Sequence, residues 1–208
     1  MAPPSPPTLL VLLGLRLVGV RSADVVAAWL GLPLAMVTEE LHALGAAGLA
    51  RYRPGRFSGW SLTPAGRVEG EGLLAEELDR AGCRVEVEHC YQAFLQLNGP
   101  LLRLCTDWQM TDLQTLNDHH DAGYDAAVVA RLVELDVVAQ PVCARLAACL
   151  RRYGAYGTRL AFARHRVGDG AGEWFTKPMI ASYHTVWFEL HEDLLATLNL
   201  DRATQPER

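Results

Sequence analysis

Signatures of known catalytic chemistry are missing from this chain of 208 residues. It has no phosphate-cradling glycine loop, no Gly-x-Ser-x-Gly elbow and no His-Glu-x-x-His helix. Gly168-Asp169-Gly170-Ala171-Gly172 is rich in glycine but follows no strand pattern, so it reads as a turn. The expectation is a non-enzyme without a cofactor. Cysteines are few and unpatterned: Cys83, Cys90, Cys105, Cys143 and Cys149 include no Cys-x-x-Cys pair. Their odd number argues against a disulfide scaffold and for buried thiols in a reduced, cytoplasmic setting. Cys83 and Cys90 share a helix face, but seven residues of straight helix separate their Cα atoms by about 10 Å, too far for a disulfide. Long hydrophobic runs are also missing. The leucine-rich run at 9–20 lacks a positive leader, is interrupted by Arg16 and is too short for a bilayer, so no membrane partner is expected. Lysine is almost absent: Lys177 stands alone beside 18 arginines. There is no internal repeat.

What is present begins with residues 48–67, Gly-Leu-Ala-Arg-Tyr-Arg-Pro-Gly-Arg-Phe-Ser-Gly-Trp-Ser-Leu-Thr-Pro-Ala-Gly-Arg. A short strand over Leu49–Arg53 meets a Pro-Gly turn and returns over Gly59–Leu62, which is hairpin chemistry. Thr63 before Pro64 starts a helix: a hydroxyl cap, then a proline whose missing N–H costs nothing in the first turn. Upstream, Ser22 caps a helix through Val25, Val26, Trp29 and Leu30. Gly31-Leu32-Pro33 turns the chain, and Val37, Leu41 and Leu44 form the buried stripe of the next helix. Leu9–Val18 supplies a helix before both. Gly48-Leu49, the basic hairpin and Leu-Thr-Pro-Ala-Gly-Arg at 62–67 resemble the MarR-like winged helix-turn-helix transcriptional regulators. The resemblance covers the N-terminal third and implies DNA binding, with the second helix-turn-helix helix in the major groove.

That helix, Leu34-Ala35-Met36-Val37-Thr38-Glu39-Glu40-Leu41-His42-Ala43-Leu44, contains no Arg, Lys, Asn or Gln. Thr38 and His42 are its candidate base contacts, beside two carboxylates that phosphates repel. Arg51, Arg53, Arg56 and Arg67 are the candidate phosphate contacts. Residues 1–68 hold six arginines against Asp24, Glu39 and Glu40, a net charge of +3; the remainder carries −8 of the total of −5. The asymmetry suits a DNA-binding part joined to a part that does not bind nucleic acid.

After Leu62 the pattern is helical throughout. One long helix is expected from Pro64, bent at Gly82 and ended by Asn98-Gly99-Pro100, with a short helix from Pro100 to Met110. Tyr124–Tyr153, Arg159–Arg166 and Pro178–Leu198 follow. His184, Trp187 and His191 fall on one side of the last helix, near Trp174 and Tyr183. These five residues read either as a ligand pocket for a small-molecule effector or as a core stripe. Lys177 reads as a partner for an anionic ligand or as a solvated residue in a helix-entry loop. Asn117-Asp118-His119-His120-Asp121 has metal-ligand residue types. It resembles the helical metal-binding domains of GntR-type regulators in those types only, and turn or capping work by Asp121 or Asp125 explains the run without a metal. No metal is assigned.

The fold expected is mainly α: an N-terminal winged helix of three helices plus a β-hairpin wing, a long linker helix and a C-terminal antiparallel helical bundle. The boundaries are a tail at 1–7, the winged helix-turn-helix domain at 8–67, a helical effector or dimerisation domain at 68–202 and a tail at 203–208. The function expected is DNA-binding transcriptional regulation by a cytoplasmic homodimer. Residues 183–194, Tyr-His-Thr-Val-Trp-Phe-Glu-Leu-His-Glu-Asp-Leu, resemble an uncharacterised helical segment of actinobacterial proteins, some associated with phosphoenolpyruvate-utilising enzymes. The alternative is therefore a winged-helix protein-interaction module or an accessory of such an enzyme.

Overall fold

Hydrophobic burial on two sides explains the leucine-rich start of the chain. In helix α1 (Pro7–Val18) Leu12 and Leu15 enter one core, while Leu9 and Leu13 enter another. A helix buried on both sides needs no polar stripe, so its sequence imitates an apolar leader. The computed structural model describes residues 4–56, 58–112 and 114–200. They are mainly helical, with one two-stranded antiparallel sheet. The expected tail at 203–208 lies outside the described residues. The N-terminal tail is described from Pro4, and the Ser5 hydroxyl donates to Glu77.

The described residues fall into two compact units. The first runs to Gly82 and includes the chain again from Glu192. It contains α1, α2 (Ala23–Leu30), α3 (Leu34–Ala46), β1 (Ala50–Arg53), β2 (Gly59–Leu62) and α4 (Pro64–Ala81). Val37, Leu41 and Leu44 form the buried stripe of α3 and meet Val11, Leu12, Leu15 and Val26. β1 and β2 pair in the register Ala50↔Leu62 to Arg53↔Gly59. A bridge between Arg21 and Trp60 adds a third segment to this sheet, which the sequence pattern does not announce. Ser22 occupies the position before α2, but its hydroxyl makes no capping bond. It bonds to Asp24 instead, which holds that carboxyl below its usual range. Leu74 on α4 and Ala196 on α9 (Tyr183–Leu198) join Leu9 and Leu13 in the second core.

The second unit spans Cys83–His191. It opens with α5 (Arg84–Gln109), which corrects the expected stop at Asn98-Gly99-Pro100. Pro100 inside a helix costs about 3 kcal/mol. Leu101, Leu104, Cys105 and Trp108 beyond it are buried on the same helix. At about 1.5–3 kcal/mol for each large apolar side chain, their burial outweighs the missing bond. Asn98, read as part of a stop, accepts a hydrogen bond from Trp187 Nε1 at 3.1 Å. Gly82, expected to bend one long helix, instead ends α4 in a left-handed conformation (φ 62°) that suits glycine, so the long helix from Pro64 is two helices. α6 (Ala122–Cys149) likewise runs through Pro141, and Asp121 caps it through the N–H groups of Gly123 and Tyr124. α7 (Gly154–Gly168) and the short α8 (Glu173–Thr176) precede the first half of α9.

α5 and α6 run antiparallel, tied at one end by Glu86–Arg145 and at the other by Asp107–Arg131, each 2.7 Å. Cys83 and Cys149 meet at the first end, thiol against thiol, and all five cysteines are free. Burial pushes the Cys105 and Cys143 thiols up to about 12, so both are inert hydrophobes at neutral pH. Between α6 and α7, buried Asp136 accepts from Gln140 Nε2 (2.9 Å), Arg164 Nε (3.0 Å) and the Tyr183 hydroxyl (3.1 Å). Burial and the Asp136 charge together push the Tyr183 phenol far above its ordinary value.

Candidate functional site

The N-terminal candidates share one surface built by a few backbone contacts. α3 buries Val37 and Leu41 and thereby turns Met36, Glu39 and His42 outward; Thr38 is half-buried. The His42 ring sits edge-on to Trp60, with centroids 5.5 Å apart. Arg51 and Arg53 are two residues apart on β1, hence on one face, and both are exposed, as are Arg56 in the turn and Arg67 on α4. The hairpin is locked to α4 at Leu-Thr-Pro-Ala-Gly-Arg. Thr63 N–H donates to the Leu49 carbonyl (3.1 Å), and its hydroxyl reaches the Gly48 and Leu49 carbonyls at 2.8 and 3.0 Å. The same Oγ1 accepts from Gly66 N–H at 3.0 Å.

The five ligand candidates do not come together as one cavity. Tyr183, Trp187 and His191 are buried. Trp187 stacks on Phe94 at 4.4 Å, and His191 lies tilted at 5.2 Å from the same ring. His184 is half-buried, and burial holds its imidazole below the usual value. Trp174 stands apart, edge-on to Phe162 with the Arg166 guanidinium 5.7 Å over its ring. In geometry, the first three are a packed aromatic cluster.

A pocket of about 850 Å³ opens elsewhere in the same unit, where the ends of α5 and α7 meet the start of α6 and α8. Its apolar wall includes Trp108, Val129 and Val167; its polar rim includes His119, Asp125, Glu173 and Lys177. His119, exposed at the rim, is held in both backbone and ring. Its φ of 60° is left-handed, at a cost of about 1–3 kcal/mol for a residue with a side chain. Three contacts hold it: its N–H donates to Asn117 Oδ1 (3.0 Å), Nδ1 lies 3.0 Å from Asp125 Oδ2, and its ring packs 4.5 Å from the Trp108 ring. Asp125 also accepts from Asn117 Nδ2 at 2.8 Å. The remaining imidazole, His120, pairs with Asp118 at 3.0 Å in full exposure. Among the described residues, no group of three or more His, Cys, Asp or Glu side chains is placed to hold a metal.

Gly172 shapes this pocket. A Cβ built on it falls 2.8 Å from Trp108 Cζ2, and the Trp108 ring has Phe175 5.1 Å on another side. Gly172→Ala is expected to destabilise the protein by about 1 kcal/mol through overpacking and to shift the tryptophan emission. Urea unfolding followed by fluorescence reads both; an unchanged midpoint and spectrum would mean that Trp108 has room to move.

Trp108 carries no site signal in the sequence, where His119 and Asp125 have the character of metal ligands or caps. The tryptophan stands at the end of α5 and the histidine six residues before the aspartate, but only folding brings these beside the α7–α8 turn. No helix among the described residues is long and apolar enough to cross a membrane. No family model, no curated protein and no solved structure matches the chain.

Proposed function

We propose that the protein is a DNA-binding transcriptional regulator, with a winged helix at its N-terminus and a helical bundle that senses a small molecule and pairs two copies. One observation carries the reading: an exposed basic hairpin, with Arg51 and Arg53 on one face and Arg56 at its turn, stands beside the exposed side of α3. Order and connection of α1, α2, α3 and the hairpin support it, as does the lock between Thr63 and Leu49, which gives the MarR-like motif a structural reason. The arginines supply sequence-independent attraction to phosphates, and Thr38 and His42 supply limited base contact. Genomic fragments recovered with the purified protein test this. Enrichment of a shared, two-fold symmetric element is expected; random fragments lost at moderate salt would remove the operator.

A second reading has its own support. Leu34 and Met36 on α3 are exposed beside Glu39, a surface better suited to a protein than to DNA. In that case the fragments carry no shared element and a protein partner protects α3.

Two weakly reading copies gain from being joined, because the second binds at high effective concentration. On α6 the exposed positions Ala130, Val133, Val137, Pro141 and Ala144 follow the helical spacing without a charge. Pairing of two copies through this stripe is the proposed dimer contact, with Val137, two-thirds exposed (66%), near its middle. Light scattering should give twice the chain mass for the full protein and the single chain mass for Val133→Glu/Val137→Glu. A monomeric parent protein at tens of micromolar would remove the dimer.

A further inference from the structure

We infer that the pocket beside Trp108 binds a protonated amine carried on an apolar body, an assignment that rests on the helical unit being the sensing part. The pocket's polar inventory is dominated by acceptors. Asp125 and Glu173 are two carboxylates against one ammonium, Lys177. Asp125 is engaged by Asn117 and His119, while Glu173 is exposed at the rim. A carboxylate has no hydrogen to give, so the hydrogen shared with Asp125 sits on His119 Nδ1. In the neutral ring Nε2 then holds a lone pair and accepts. The tautomer is set by the carboxylate and the ring is held against Trp108, with the side chain still partly exposed at the pocket rim.

Helix dipoles of both signs reach the pocket, so its side chains decide the preference. α6 and α8 begin at the pocket and α5 and α7 end there, with Gly168 in the last turn of α7. Arg166, in the same last turn, lies over Trp174 instead of entering. The ligand therefore meets two carboxylates and an imidazole acceptor. Against these stands one cationic side chain in the lining, Lys177, exposed on a flexible stem. Trp108, Ala126, Val129 and Val167 supply the surface for the apolar body, and an aromatic wall also favours a cation over it.

Isothermal titration calorimetry on the full-length protein at pH 8 tests the assignment with 4-phenylbutylamine and 4-phenylbutyrate, similar bodies of opposite charge. The amine is expected to saturate at one per chain and the acid not to. Glu173→Gln should weaken the amine about tenfold, roughly the 1.4 kcal/mol of one charge-assisted hydrogen bond. Lys177→Met should leave it unchanged or tighten it. Both residues are exposed, so neither variant threatens folding. Acid binding that Lys177→Met abolishes, or no saturation by the amine up to about 10 mM, overturns the proposal. DNA affinity measured in parallel separates the two readings. Amine binding without DNA binding keeps the site and retires the regulator; DNA binding without amine saturation does the reverse.

Discussion

Replacing Gly66 by alanine is expected to unfold the N-terminal unit at much lower urea than the parent protein. A Cβ at this position falls 1.9 Å from the Leu49 carbonyl oxygen and 2.8 Å from its carbon. The obstacle is backbone, so no rotamer relieves it. The start of α4 must retreat from the strand, and Thr63 then loses its bonds to the Leu49 carbonyl. Overpacking of about 1–3 kcal/mol and two hydrogen bonds of about 1 kcal/mol each sum to at least 3 kcal/mol. That is a large share of the 5–15 kcal/mol typical of a domain. Gly72→Ala is the control of opposite sign. Gly72 is also on α4, and nothing lies within 4 Å of its added Cβ. Removing a mid-helix glycine there should stabilise by about 1 kcal/mol. Far-UV circular dichroism against urea reads both variants. If Gly66→Ala and Gly72→Ala shift the midpoint in the same direction, the close approach of α4 to Leu49 is wrong.

The second large effect is on DNA. An Arg51→Ala/Arg53→Ala/Arg56→Ala protein should lose about two orders of magnitude in affinity at 0.1 M salt, equally for every sequence. The slope of log affinity against log salt should flatten by up to about 2.7 per winged unit, about 0.9 for each phosphate contact removed. The cause is charge: the exposed side of α3 offers Glu39 where a basic residue would help, so the hairpin must supply most of the attraction. Fluorescence anisotropy over a salt series measures both quantities. A variant with the parent's slope and affinity would move the function to the protein-interaction reading. Thr38→Ala and His42→Ala should change affinity less, and unequally among sequences, because they sit where bases rather than phosphates would lie.

Local chemistry was legible in the residues themselves. The buried stripe Val37, Leu41, Leu44 follows from 3.6-residue periodicity, the hairpin from Pro-Gly between β-prone runs, and the α4 start from Thr63-Pro64, while the choice of Asp121 over Asp125 as the α6 cap was left open. The mainly helical class follows from the same patterns, because each depends on neighbours within one or two turns. Asn98-Gly99-Pro100 shows where such reasoning ends. Its local preference is to stop a helix, and the burial of Leu101, Leu104 and Trp108 overrides it. Ser22 offers a cap on paper, yet its hydroxyl goes to Asp24.

Tertiary structure alone decided the pocket. Trp108, the His119–Asp125 pair and Lys177 come from three separate stretches, and no period or spacing links the three. It likewise sent Tyr183 to Asp136 and Trp187 to Asn98, making a packed cluster of residues that the sequence left open between core and cavity. It also set α4 and the end of α9 with α1, through Leu74 and Ala196. The physical reason is range: caps, turns and helical stripes are settled by bonds within a few residues, whereas which apolar face meets which is settled by burial across the whole chain.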